Sequence, residues 1–175
     1  SGVGTAAIQL VRSKDAVPFV TAGTSEKISF CQDLGAKAGI NYKEEDFAKR
    51  IHELTDQHGA DLIMDFVGAD YWEKNLNALA QEGHIVVIAY LSGPMVDKVD
   101  LRPIQKKWAS VTGTTLRARS LEYKINLVHS FTDYALVKLH EGRLKPVIDS
   151  VYDWTDVQKA HERMEANENM GKIIL

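Results

Sequence analysis

Two glycines one residue apart, Gly2 and Gly4, stand at the head of an apolar periodicity that reads as a helix. Glycine lets a backbone turn tightly and approach a ligand closely. The helix N-terminus behind it offers free N–H groups and a partial positive charge to an anion. In a nucleotide-binding strand–turn–helix unit that anion is a pyrophosphate, met here by Gly2, Val3 and Gly4. An ordinary glycine-rich turn reads the same way, so the next strand end is the second test. When the ribose carries a free 2′-hydroxyl, an acid normally stands about 20 residues beyond the glycines. Counting from Gly4 leads to Gly23-Thr24-Ser25-Glu26-Lys27. A glycine and two hydroxyls occupy the tip, Lys27 follows, and the only acid, Glu26, falls in the first helical turn beyond it. Hydroxyls and an ammonium suit a 2′-phosphate, which favours NADP(H) over NAD(H). Helix capping by Ser25 and a solvated face for Lys27 are the plainer alternative.

Three further strand ends carry candidates. Tyr42 follows the strand ending at Asn41 and either borders the adenosine half of a dinucleotide or is a half-buried aromatic. Asp65-Phe66-Val67-Gly68 and Ala89-Tyr90-Leu91-Ser92-Gly93 follow the next two strands. Open α/β sheets bind ligands at such C-terminal strand ends. The glycines there let a ring or ribose approach the backbone. No catalytic constellation and no metal set is visible. The six histidines lack short-spaced partners, and there is neither a Cys-x-x-Cys, a Gly-x-Ser-x-Gly elbow nor a Gly-Lys-Ser/Thr phosphate loop. Cys31 reads as packed rather than nucleophilic, and Trp108 as core.

The elements that must carry these residues alternate. Helical spacing links Val3, Ala6, Ala7, Leu10 and Val11. A strand is predicted at 17–20, a helix from Ser25 to Leu34 ended by Gly35, a strand at 38–41, and a helix from near Glu44 to before Gly59. A strand follows at 62–64. A helix with Trp72, Leu76 and Leu79 comes next behind an Asp70/Glu73 capping box, then a strand at 85–89. Residues 92–103 read as a loop, 111–114 as a strand, and Leu121 to Leu139 as a long helix. Beyond Gly142 come an extended piece at 145–148, a helix capped by Thr155 and Gln158, and a terminal strand from Lys172. Continuous apolar strands between amphipathic helices mean a parallel sheet covered on both faces, a doubly wound α/β domain. Residues 1–144 are assigned to that domain and 145–175 to a tail.

Composition bounds the rest. The 175 residues are 45% hydrophobic and 26% charged, ordinary soluble-globular values. A net charge of −3 argues against intrinsic nucleic-acid binding, and no apolar run is long enough to span a bilayer. One cysteine excludes an internal disulfide, so a reducing, cytoplasmic setting is expected.

The same residues resemble a known family along essentially the whole chain. Ser1-Gly2-Val3-Gly4-Thr5-Ala6-Ala7, Thr21 to Lys27, Leu34-Gly35-Ala36, Ile40-Asn41-Tyr42 and Asp65 to Gly68 are similar, in order, to zinc-free medium-chain dehydrogenases/reductases. So are Thr114 to Ser120, Gly142 to Asp149, and Asn169-Met170-Gly171-Lys172-Ile173-Ile174-Leu175. The resemblance is nearest to NADPH-dependent quinone oxidoreductases of the zeta-crystallin type. Tyr71 to Asn75 and Met164 to Asn167 point to the branch of the animal stress-inducible quinone reductases.

This resemblance implies a Rossmann domain, NADPH as cofactor and hydride transfer to a quinone. Enoyl or alkenal reduction is the alternative within the superfamily, with a reactive carbonyl as substrate. A dinucleotide-binding module without turnover is the alternative outside it. It implies that Gly23, Thr24, Ser25, Lys27 and Tyr42 hold the 2′-phosphate end. Gly2, Val3 and Gly4 would form the pyrophosphate turn, and Val67, Gly68, Ala89, Tyr90, Leu91, Ser92 and Gly93 the walls beside the nicotinamide ribose. Thr114, Leu116 and Asn169 are further contacts. Homodimerisation through the cofactor domain, near Trp108 to Thr114, is implied as well. Family members carry a catalytic domain before the glycine turn. The chain is therefore expected to lack the domain's first strand, to return from Lys145 toward that catalytic domain, and to be inactive alone. No catalytic residue is assigned.

Overall fold

A computed structural model describes residues 2–175, which form seven α-helices and seven strands in three parallel sheets. The chain divides into two compact units: residues up to Asn41 with Ile125–Leu175, and Tyr42–Lys124.

In the first unit, helix α1 (Gly2–Arg12) precedes β1 (Phe19–Ala22), α2 (Ser25–Asp33) and β2 (Ala38–Asn41). β1 and β2 pair in parallel with Phe19 opposite Ala38, and α2 packs on both strands. After α6 (Leu121–His140) come β6 (Ile148–Val151), α7 (Val157–Glu165) and β7 (Lys172–Ile174). β6 and β7 form their own parallel pair. Gln9 ties this late segment to α1: its amide donates to Lys145 O at 3.0 Å and accepts from Lys145 N at 2.9 Å.

The second unit runs α3 (Phe47–Leu54), β3 (Ala60–Asp65), α4 (Trp72–Ala78), β4 (Leu79–Val87), α5 (Arg102–Lys107) and β5 (Ser110–Gly113). Its sheet is parallel, in the order β3-β4-β5. Leu76, Leu79 and Ile85 form its buried centre, with Ile63, Trp72 and Val87 packed against them. Lys107 caps the C-terminal end of α4. Its ammonium donates to the carbonyls of Leu76, Asn77 and Leu79, supplying partners that a helix end cannot provide itself.

Several expectations shift. β1 starts two residues later than predicted, and β6 three. Leu79 opens β4 rather than continuing α4. The Asp70/Glu73 capping box is not formed, because a 3₁₀ turn over Ala69–Tyr71 leads directly into α4. Ahead of α7, Asp153 caps instead, accepting from Thr155 N at 2.9 Å and from the Thr155 hydroxyl. A carboxylate outcompetes a hydroxyl for the free N–H groups. The predicted loop ends in α5, since Pro103 sits in a helix's first turn, where its missing N–H costs nothing. Trp108, expected in the core, is 68% exposed and takes a left-handed backbone, φ 50°. The strands are not all covered on both faces. Leu62 and Met64 share one side of β3 and are both exposed, and all four residues of β5 are exposed.

Candidate functional site

The first unit gathers one group of candidates around two helix starts. Gly2, Val3 and Gly4 form the first turn of α1. A Cβ on Gly2 would meet the Lys172 stem at 2.6 Å, so glycine lets the β7 side chain pass over the helix start. Thr24, not Ser25, is the N-cap of α2. Its backbone is extended, and its hydroxyl accepts from Lys27 N at 3.3 Å. That leaves Ser25 exposed, with its hydroxyl outside any side-chain hydrogen bond among the described residues. The Glu26 carboxyl is held below the usual carboxylate range, first by its own backbone N–H and then by the Thr24 hydroxyl.

Lys27 is half-buried, and its ammonium donates to two oxygens of Asn167, the backbone carbonyl and, at 3.3 Å, the side-chain Oδ1. Asn169, the candidate from the same late turn, donates its amide to Gly171 O at 3.0 Å. The turn is held by Asp149. The side chain of this residue is 5% exposed and pairs with Arg163 at 2.7 Å while accepting from Met170 N at 2.8 Å. The Arg163 guanidinium holds the Asp149 carboxyl far below the usual range.

The second unit gathers the other group. Asp65, buried at the end of β3, accepts from Val67 N at 2.8 Å and from Gly68 N at 3.1 Å, folding the chain back on itself. Gly68 has φ 88°, and a Cβ there would lie 2.7 Å from Tyr90 Cβ and 2.8 Å from Gly93 O. No other residue fits both the backbone and the approach. The two candidate loops are thereby one double loop. Leu91 N donates to Phe66 O, Ser92 N to Val67 O, and Ala69 N to Gly93 O. The Ser92 hydroxyl donates to Val67 O and accepts from Asp70 N. Ala89 continues from β4, its N–H directed at Asp65 O.

Thr114 extends β5 by donating to Val87 O at 3.0 Å. Thr114, Tyr90, Thr115 and Arg119 line an open recess of about 260 Å³, below the ~300 Å³ at which pockets for whole small ligands begin. Leu116 lies exposed just beyond it. Tyr42 is 39% exposed and stands edge-on to Tyr71, with ring centres 6.2 Å apart. Cys31 is half-buried, and burial raises its thiol pKa, the opposite of what a nucleophile needs.

Sequence reasoning named Asp65 only within its strand-end segment, with no role, and passed over Asp149, Arg163 and Asn167 as site residues. The Asp65-x-Val67 spacing is a local signal, an acid two residues before an N–H it can accept from. The other three act through partners far off in sequence and leave no such mark.

Comparison with known proteins adds four findings. Residues 2–131 match the family described as "Zinc-binding dehydrogenase". Over 99% of its length the chain is 28% identical to the quinone oxidoreductase-like protein 2 homolog of Nematostella vectensis, covering 47% of that protein. It superposes on the Escherichia coli quinone oxidoreductase complexed with NADPH with a TM-score of 0.82 at 27% identity, covering 100% of this chain and 54% of that one. The Pseudomonas syringae quinone oxidoreductase gives a TM-score of 0.81 at 31% identity, over 98% and 52%. The chain spans about half the length of these relatives.

Proposed function

The chain belongs to the zinc-binding dehydrogenase family, and from that premise we propose that it is the cofactor-binding portion of an NADPH-dependent quinone oxidoreductase. One observation carries the cofactor choice: Lys27 stands beside the Thr24 and Ser25 hydroxyls at the start of α2, with no acid at the strand tip. The relatives named quinone oxidoreductase support the acceptor class.

The family name carries zinc, but no three His, Cys, Asp or Glu gather closely enough to hold a metal among the described residues. The described residues supply no set that fits such an ion. They do fit a dinucleotide. The first-turn amides of α1, at Gly2, Val3 and Gly4, would face a pyrophosphate. Thr24, Ser25 and Lys27 would hold the 2′-phosphate. The double loop of Val67-Gly68 and Ala89 to Gly93 would line the nicotinamide ribose, with Thr114, Leu116 and Asn169 as further contacts. When bound, the nicotinamide supplies the hydride. The protein's part is to orient it and keep water away.

Residues 1–144 act in this reading as the dinucleotide domain, and 145–175 as the segment returning toward a catalytic domain. The substrate-side residues would come from that catalytic domain, so these residues alone would not turn over. The same reading gives a homodimer through Trp108 to Thr114. The open edge of β5 and the exposed Trp108 support it. Steady-state NADPH oxidation by the full-length protein tests the reaction. Turnover with quinones is expected. Turnover confined to α,β-unsaturated carbonyls would assign the enoyl reductase reading instead, and binding without turnover a non-catalytic module.

A further inference from the structure

We infer that Asn167 is a positioning residue that sets the preference for a 2′-phosphate by aiming the Lys27 ammonium. The inference rests on the proposed role of Lys27 and assigns a second residue to that end of the site. A lysine ammonium on a four-carbon stem is a mobile point charge, and ordering it for a ligand costs rotamer entropy. Here the stem is already ordered, because Asn167 accepts from Lys27 Nζ through both its backbone carbonyl and Oδ1. An ammonium has three N–H groups, so one remains outside these two bonds.

The acceptors are themselves fixed. Asn167 takes a left-handed backbone, φ 55°, immediately after α7, with its N–H donated to Met164 O. The turn that follows is pinned by Met170 N on Asp149, and Asp149 is bound in turn by Arg163. Asparagine suits this position twice over, since it tolerates the left-handed conformation and brings a neutral oxygen. Neutrality matters because both acceptors leave the positive charge of Lys27 uncancelled. The neighbouring carboxylates are engaged elsewhere: Glu168 turns to Arg163 at 3.4 Å, and Glu26 to the Thr24 cap.

The probes are 2′,5′-ADP and 5′-AMP, which differ only by the 2′-phosphate, titrated calorimetrically into the full-length protein. Asn167→Asp places a carboxylate on Lys27 and is expected to weaken 2′,5′-ADP at least about tenfold while 5′-AMP stays within about twofold. Asn167→Gly keeps the left-handed backbone and the carbonyl but removes Oδ1. It is expected to weaken 2′,5′-ADP about threefold and 5′-AMP hardly at all. If Asn167→Asp does not fold, the glycine variant carries the test. A purely structural role would move both ligands together, and that result, or no change in either, overturns the inference. Lys27→Ala separates the two layers. If it discriminates between the ligands while the Asn167 variants do not, the positioning role fails alone. If it weakens both ligands equally, the phosphate role of Lys27 fails and the inference with it.

Discussion

Lys27 and Asp149 show what a single charge does here when its partners are fixed. In the proposed site, replacing Lys27 with Ala would remove a charge-assisted bond to a 2′-phosphate, worth about 1.5–3 kcal/mol. NADPH affinity should fall roughly 10- to 100-fold and NADH affinity by less than about twofold, which fluorescence titration of both cofactors would show. Asp149 has the opposite task, inside the fold. Its carboxyl is held far below the usual range, foremost by Arg163. Its contribution to stability is therefore fully present above the unfolded pKa of about 3.9 and is lost as pH falls below it. Asp149→Asn should cost on the order of 2 kcal/mol at neutral pH. Its denaturation midpoint should also fall less steeply than the wild type's below about pH 4. A parallel pH profile in urea melts would count against the pair. A count of residues from Gly4 reaches Thr24, Ser25 and Lys27 as candidates, whereas nothing in the sequence marks Asn167, because its partner lies 140 residues away.

At the scale of elements, the double loop is the feature most exposed to a small change. A methyl group on Gly68 has nowhere to go against Tyr90 and Gly93, and the backbone there is left-handed. Gly68→Ala should lower stability by about 1–3 kcal/mol and weaken NADPH and NADH by the same factor, unlike Lys27→Ala. Unequal losses in paired titrations would count against the proposed place of this loop beside the nicotinamide ribose. Element types were legible because periodicity is set by which face each helix or strand buries. Element ends were not, because they are decided by competitions among neighbours. Asp153 outbids Thr155 for the N–H groups ahead of α7, and Leu79 suits a strand as well as a helix. The run containing Pro103 reads as loop until Arg102 and Pro103 prove to be a helix's first turn.

For the whole molecule, exposed apolar surface is the plainest quantity. Trp108, Val111, Leu62 and Met64 lie open, and α6 buries only Ala135 while exposing Leu121, Val128, Phe131 and Val137. Contiguous surface of this kind is the type that interaction sites are built from. In the proposed dimer, Val111→Lys on β5 should convert the full-length protein to monomer, as read by sedimentation velocity, while NADPH affinity stays within about threefold. A persistent dimer would move the interface elsewhere. The alternation of strand and helix made the α/β class readable, whereas the open faces were not, since a sequence shows which side of a strand is apolar but not what lies on it. The bracket formed by Gln9 around Lys145 bears on the order of assembly. It joins residues 136 apart, whereas Tyr42–Lys124 is one unbroken stretch. Closing the longer loop costs about 1.8 kcal/mol more than closing the crossover between β1 and β2, by roughly three doublings of length. A ribosome releases the middle unit complete while the first is still waiting for its second half. The contact between Lys27 and Asn167, whose residues lie 140 apart on either side of that middle unit, therefore forms only after the middle unit has been made.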